Sequence, residues 1–280
     1  VLDRVRRSLE PGYFRKAFRD KVMRAVEDAV APYHREQLAR IADVQAQVDG
    51  LREELRHQSN RIVDHTIKHE IRARRDLVFA GEQEAALQSA RFVREFMPTV
   101  PHFNHPHATL EHALSLVPDG GMALEFGVYT GSTLKIISTA RGGEDVYGFD
   151  SFEGLPEDWR NGFPAGAFNV DGLPDVPGAE LVVGWFDDTL PGFLEEHEGP
   201  VTFLHVDCDL YSSTKTVLGL CGPRLVEGSI VLFDEYFNFP GWQQHEYKAW
   251  AEYVEETGLQ FEYLGYTYDH EQVIVKVTKV

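Results

Sequence analysis

The chain has 280 residues, 43% hydrophobic and 26% charged, which allows a packed core and excludes a wholly disordered chain. Charge is uneven: residues 1–80 hold 17 of the 27 Lys and Arg and 13 of the 45 Asp and Glu, a net +4 that leaves −22 for the other 200 residues. So acidic a body repels phosphate backbones, so no nucleic-acid partner is expected there. No apolar run approaches the ~18–20 residues of a membrane span, and Cys208 and Cys221 are too few for a disulfide framework. The chain begins with Val1, which leaves room for a trimmed leader. The expectation is a soluble cytoplasmic protein with no membrane partner.

Residues 1–100 are rich in Arg, Glu, Gln and Ala, with glycine only at Gly12, Gly50 and Gly81. Ile41, Val44, Val48, Leu51 and Leu55 alternate at steps of 3 and 4, and Ile62 resumes the series after Gln58. That is a heptad seam of about three repeats with flanking charges such as Arg52, Glu53 and Arg56. It predicts a short coiled coil that makes a homodimer; the alternative is an amphipathic helix lying on its own domain. His65 and His69 have the i, i+4 spacing of metal ligands, but no third ligand is near in sequence, so solvated histidines are expected.

From residue 101 the pattern changes, and a second domain is expected over 101–280. Phe103–His107 breaks the helices, and a helix is predicted over 109–116. Strand patterns follow at 122–128, 145–149, 180–185, 201–207, 229–233, 261–266 and 272–278, the last two spaced like a hairpin. Helices are predicted over 132–140, 190–197, 213–220 and 245–257. The alternation predicts a Rossmann-like α/β fold, a mainly parallel seven-stranded sheet with helices on both faces. Residues 151–179 hold nine Gly and Pro, too many for a regular element, and read as a lid or binding loop.

The chemistry gathers at predicted strand ends. Glu125-Phe126-Gly127-Val128-Tyr129-Thr130-Gly131-Ser132 closes the first strand and opens a helix. Its G-x-x-x-G spacing is not the dinucleotide fingerprint. The second strand ends at Asp150, where an acid can accept hydrogen bonds from both ribose hydroxyls. Acids at Glu125 and Asp150 together suit a cationic ligand with a ribose, and S-adenosylmethionine is such a ligand. The strand at 201–207 ends in Asp207-Cys208-Asp209 and the next in Asp234-Glu235. If those strands pair, Asp207, Asp234 and Glu235 converge, and clustered carboxylates with oxygen-only donors suit Mg²⁺. Otherwise such acids cap helices through backbone N–H groups, a role that suits Asp209 before Ser212-Ser213-Thr214. The D-x-D spelling also resembles aspartate-nucleophile phosphatases, but Tyr211 stands where that motif expects Thr or Val.

Five ordered stretches carry a specific likeness: 125–131 (EFGVYTG), 150–156 (DSFEGLP), 184–191 (GWFDDTLP), 207–214 (DCDLYSST) and 233–236 (FDEY). From about Leu124 to Val277 the chain resembles the class I S-adenosylmethionine-dependent O-methyltransferases of the macrocin type, which methylate sugar hydroxyls of macrolide antibiotics. The resemblance implies the cofactor's methionine end near Glu125 and Gly127, within the loop that includes Val128, Tyr129 and Gly131. It implies the ribose on Asp150 and the adenine around Ser151, Trp185 and Phe186, beside Gly184. It also implies a Mg²⁺ on Asp207, Asp234 and Glu235, with Asp207 as base. The usual second acid after strand five is Asp; here it is Glu235. Residues 237–245, rich in aromatics, depart from the macrolide pattern.

The expected activity is methyl transfer to a sugar hydroxyl of a small-molecule glycoside, with the metal chelating a vicinal diol and a carboxylate taking the proton. His205 and His245 are reserve bases, His245 the stronger because it opens a helix beside the site. A catechol-type phenolic O-methyltransferase would use the same acids with a flat apolar pocket. A non-catalytic assembly protein with a degenerate domain is the remaining alternative.

Overall fold

A computed structural model describes residues 11–280, with side chains from Phe14 onward. The described chain divides into two compact units, meeting in sequence between Asp76 and Leu77.

Within the first unit, helix α1 (Pro11–Arg75) runs 65 residues, roughly 98 Å at 1.5 Å per residue. It continues through Gly50, which has open space around it. Exposed pairs such as Glu36–Arg40 and Asp49–Arg52 brace it along its own surface. The heptad residues are exposed in the single chain, Ile41 at 60%, Leu51 at 70% and Leu55 at 69%.

The second unit contains α2 (Leu77–Phe96), α3 (Pro106–Ser115), α4 (Ser132–Ala140), α5 (Phe186–Glu196), α6 (Tyr211–Cys221) and α7 (Glu246–Thr257). Its strands are β1 (His102–Phe103), β2 (Met122–Phe126), β3 (Val146–Asp150), β4 (Glu180–Val183), β5 (Val201–Val206), β6 (Leu225–Phe233), β7 (Gln260–Thr267) and β8 (Val273–Lys279). They form one sheet in the order β1-β7-β8-β6-β5-β2-β3-β4, with β8 antiparallel to both of its neighbours and every other pairing parallel. All seven expected strands are present; the two-residue β1 adds an eighth at the edge beside β7. Strands β2 and β5 are buried at every residue, as continuous apolar runs must be when helices cover both faces.

The division at Asp76 falls earlier than the compositional change near residue 100. Scarce glycine marks helix in general, whereas α2 carries an apolar stripe that docks in the sheet unit. Its Ala85, Ser89 and Phe92 are buried. Phe92 meets Trp242, Tyr247 and Tyr263 edge-on at 5.6, 5.6 and 5.8 Å between ring centroids. The Ser89 hydroxyl accepts the Asn238 N–H at 2.9 Å.

Register positions the chemistry. Phe126 pairs with Phe149 of β3 and Val206 of β5, and Val206 pairs with Phe233 of β6. The ladder continues one residue further, with Gly127 N–H to Phe149 O, Asp207 N–H to Phe126 O and Asp234 N–H to Val206 O, each 2.9 Å. Asp150, Gly127, Asp207 and Asp234 therefore stand along one carboxyl edge, where chain order reverses between β2 and β5. Open α/β sheets bind ligands at such a crevice.

Candidate active site

Gly127 leaves β2 at φ +93°, and a Cβ there would fall on the Asp207 carbonyl oxygen. Only glycine lets the two loops meet. Asp150 holds the turn from the neighbouring strand: its Oδ2 accepts the Val128 and Tyr129 N–H groups, both at 2.8 Å, and its Oδ1 accepts that of Phe152 at 2.7 Å. Three of about four acceptor positions on the carboxylate are thus engaged by backbone. Asp150 is the organiser of this turn as well as the expected ribose contact.

A cavity of about 680 Å³ opens at this edge and is lined by Gly127, Tyr129, Asp150, Ser151, Trp185 and Phe186, together with Asp207, Asp234 and Glu235. The structure thus brings most of the sequence-predicted residues to one space. Its lining does not include Glu125, Val128, Gly131, Gly184 or His245. Glu125 and Val128 are buried, Gly131 starts α4 with φ +74°, and Gly184 turns out of β4 with its N–H on the Asp150 carbonyl at 3.0 Å. His245 packs beside Phe239, its ring tilted at 54° with centroids 5.4 Å apart.

Beneath the lining, the pairing of Glu125 with His205 across β2 and β5 gives a buried hydrogen bond, Nδ1 to Oε1 at 3.0 Å. His205 Nε2 lies 3.8 Å from Asp234 Oδ1, within ion-pairing distance though too long for a hydrogen bond. Burial would lower His205, but Asp234 and Glu125 on either side hold it well above the usual histidine range. Burial would raise Asp234, and the imidazolium beside it instead keeps it below the ordinary carboxylate value. His205, expected as a reserve base, is 1% exposed and bridges two acids.

Asp207, Asp234 and Glu235 each offer an oxygen, all within 4.8 Å of one another. Burial and the charge of Asp234 push Asp207 well up; burial and then Asp209 do the same to Glu235. Glu235 Oε2 is buried without a hydrogen-bond partner. Behind it the fully buried Glu246 accepts the Glu235 N–H at 3.0 Å and is itself pushed well up by burial. An oxygen-only donor set, mutual repulsion and an orphaned carboxylate oxygen fit a hard divalent cation such as Mg²⁺.

Several residues of the site escaped sequence reasoning. Asp209, expected as a cap, lines the cavity at φ +63°, and burial, partly offset by Arg160, raises it to about 7. From the segment 151–179 come Trp159, Arg160, Phe163 and Phe168. The available signal was three large aromatics within ten residues of a stretch too broken to bury them in a helix or strand.

A mainly parallel sheet with this strand order, a glycine turn held by an acid on the next strand, and an acid cluster beside it define a class I S-adenosylmethionine-dependent methyltransferase. A methyltransferase-domain family model matches residues 124–236. The 8-demethyl-8-(2,3-dimethoxy-alpha-L-rhamnosyl)-tetracenomycin-C 4'-O-methyltransferase of Streptomyces olivaceus is 31% identical over 191 residues, covering 57% of this chain and 70% of that protein. Among solved structures, the calicheamicin methyltransferase CalS11 aligns at 26% identity and TM-score 0.50, over 62% of this chain and 80% of its own. The O-methyltransferase NovP aligns at 24% and 0.48, over 61% and 79%. The chain belongs to the family of S-adenosylmethionine-dependent O-methyltransferases of the macrocin type. Among the described residues, no helix is long and apolar enough to cross a membrane.

Proposed function

We propose that this enzyme methylates a sugar hydroxyl of a glycosylated natural product, assisted by Mg²⁺ on Asp207, Asp234 and Glu235. The carrying observation is that one cavity holds both the Gly127–Asp150 turn and this acid cluster, at adjoining strand ends. One relative points the same way: the Streptomyces olivaceus protein is named for methylating a rhamnosyl tetracenomycin.

In this reading the Gly127–Tyr129 turn takes the cofactor's methionine end, Asp150 holds its ribose, and Ser151, Trp185 and Phe186 surround its adenine. S-adenosylmethionine supplies an activated methyl on a sulfonium. Mg²⁺, when bound, supplies a Lewis acid that makes a nearby sugar hydroxyl more acidic. Asp207 would accept the hydroxyl proton on its carboxylate, the methyl passing from sulfur to the sugar oxygen as the carbon–sulfur bond breaks and S-adenosylhomocysteine leaves. The Glu125–His205 pair fixes Asp234 from beneath, and the cavity walls orient the acceptor and keep water out. Trp159 and Phe163 in the lining also favour the second reading, a flat phenolic acceptor served by the same acids.

The test is methyl transfer from labelled cofactor to panels of glycosides and catechols. Sugar products are expected, with activity lost in excess chelator and restored by Mg²⁺. Asp207→Asn is expected to lower kcat by roughly 10²–10⁴-fold, the range of general-base losses, with cofactor affinity retained. Methylation of catechols alone would select the second reading, and full activity in chelator would dismiss the metal.

We further propose that α1 pairs two copies of the chain through Ile41, Val44, Val48, Leu51 and Leu55. The support is the heptad spacing together with the exposure of these side chains in the single chain.

A further inference from the structure

The segment 151–179 is ordered without being a helix or sheet layer. Leu155 donates its N–H to Ala167 O and accepts that of Gly166, both at 2.9 Å. Glu157 accepts the Ser212 hydroxyl of α6 at 2.7 Å. Arg160 crosses to the β7–β8 hairpin, where its Nη1 donates to both oxygens of Glu271 at 3.0 and 3.1 Å. The same guanidinium lies 3.9 Å from the Trp159 ring centroid and 4.7 Å from that of Phe239.

These ties fix an aromatic surface in place. Trp159 meets Phe163 at 5.2 Å, Phe163 stacks on Phe168 at 5.4 Å, and Phe168 meets Tyr129 edge-on at 5.8 Å. All four line the cavity. Trp159 Nε1 is buried without a hydrogen-bond partner, an unused donor at this surface. The charges of the lining are one-sided: seven carboxylates between Asp150 and Glu235 against one cation, Arg160. That cation is already answered by Glu271.

We infer that Trp159, Phe163 and Phe168 form the acceptor-recognition wall, and that this wall selects a glycoside with a flat apolar aglycone over one with a small aliphatic aglycone. Aromatic faces stack on apolar planes and on the C–H faces of sugars. The inference rests on the sugar reading above and narrows it. It also orders the chemistry: a glycosyl-transfer reaction must supply this substrate, so methylation acts on the attached sugar.

Calorimetry on the full chain saturated with S-adenosylhomocysteine tests this, using matched p-nitrophenyl and methyl glycosides of L-rhamnose and D-glucose, thymidine-diphosphate-rhamnose and 4-nitrocatechol. A p-nitrophenyl glycoside is expected to bind about tenfold or more tightly than its methyl counterpart, and the nucleotide sugar no better than the methyl glycoside. Trp159→Ala is expected to shrink the aryl preference to about twofold. Trp159→Phe, which keeps an aromatic face, should retain most of it, and S-adenosylhomocysteine affinity should stay constant in both variants. Equal binding of aryl and methyl glycosides, or an aryl preference that survives Trp159→Ala, overturns the wall. Tighter binding of the nucleotide sugar overturns the choice of substrate class. Binding of 4-nitrocatechol but of no glycoside, lost in Trp159→Ala, would instead overturn the sugar reading and leave the wall standing.

Discussion

At the scale of single residues, the site depends on backbone geometry as much as on charge. Gly127 exists to let the β2 loop touch the loop after β5, so its role is steric and electrostatically neutral. Asp150 combines both: its carboxylate fastens the Val128, Tyr129 and Phe152 amides, and it faces the cavity. Asp150→Ala is therefore expected to weaken S-adenosylhomocysteine binding by about 1.5–3 kcal/mol, the worth of charge-assisted hydrogen bonds. It should also lower the melting temperature, because three backbone donors lose their acceptor. Calorimetry and thermal unfolding read the two effects separately. Unchanged affinity with a lowered melting temperature would leave Asp150 as a loop fastener alone. Burial and their neighbours' charges, that of Asp234 included, raise the cost of ionising Asp207, Asp209, Glu235 and Glu246, while His205 favours the charged forms of Asp234 and Asp207.

At the scale of elements, α2 shows how a helix outside the sheet supports the site from behind. Phe92 packs among Tyr236, Trp242, Tyr247 and Tyr263, which lie just beyond the Asp234-Glu235 pair or in the flanking β7. Gln88 accepts a hydrogen bond from Gln243 at 2.7 Å, a second tie to that segment. Phe92→Ala should cost about 3–5 kcal/mol, the usual loss for a buried phenyl. Truncation should separate the two candidate boundaries. A chain starting at Leu77 is expected to fold and bind cofactor, whereas one starting at residue 101 should be strongly destabilised or insoluble. Circular dichroism and cofactor calorimetry on both chains check this; equal stability would return the boundary to residue 100.

At the scale of the whole molecule, the sheet unit contains all the residues of the candidate site, and the heptad side chains of α1 are exposed in the single chain. Proposed pairing through α1 makes a concrete expectation. Sedimentation of the full chain at tens of micromolar should give a dimer, and Leu51→Asp with Leu55→Asp should give a monomer, with methyl transfer per chain retained. A full chain that sediments as a monomer would retire the seam.

The sequence by itself determined the parallel sheet, because buried strands require apolar runs and their crossovers require helical patterns between them. It determined the strand-end acids as well, because Asp150, Asp207 and Asp234 each stand just at the end of such a run and a strand's carboxyl end is legible from its own residues. The separation of β4 from β3 by a broken segment was equally visible in the crowding of Gly and Pro over 151–179. What that segment does was decided only in three dimensions. Trp159 and Arg160 acquire partners in Phe239 and Glu271 far along the chain, and no local pattern encodes a contact closed by the sheet. The same holds for His245 and His205. Helix position placed His245 beside the site, and the structure packs it against Phe239 outside the cavity lining, whereas cross-strand register alone placed His205 between Glu125 and Asp234. Composition likewise could not assign α2 to the sheet unit, because a helix shows its apolar stripe in its sequence but not the surface that will bury it.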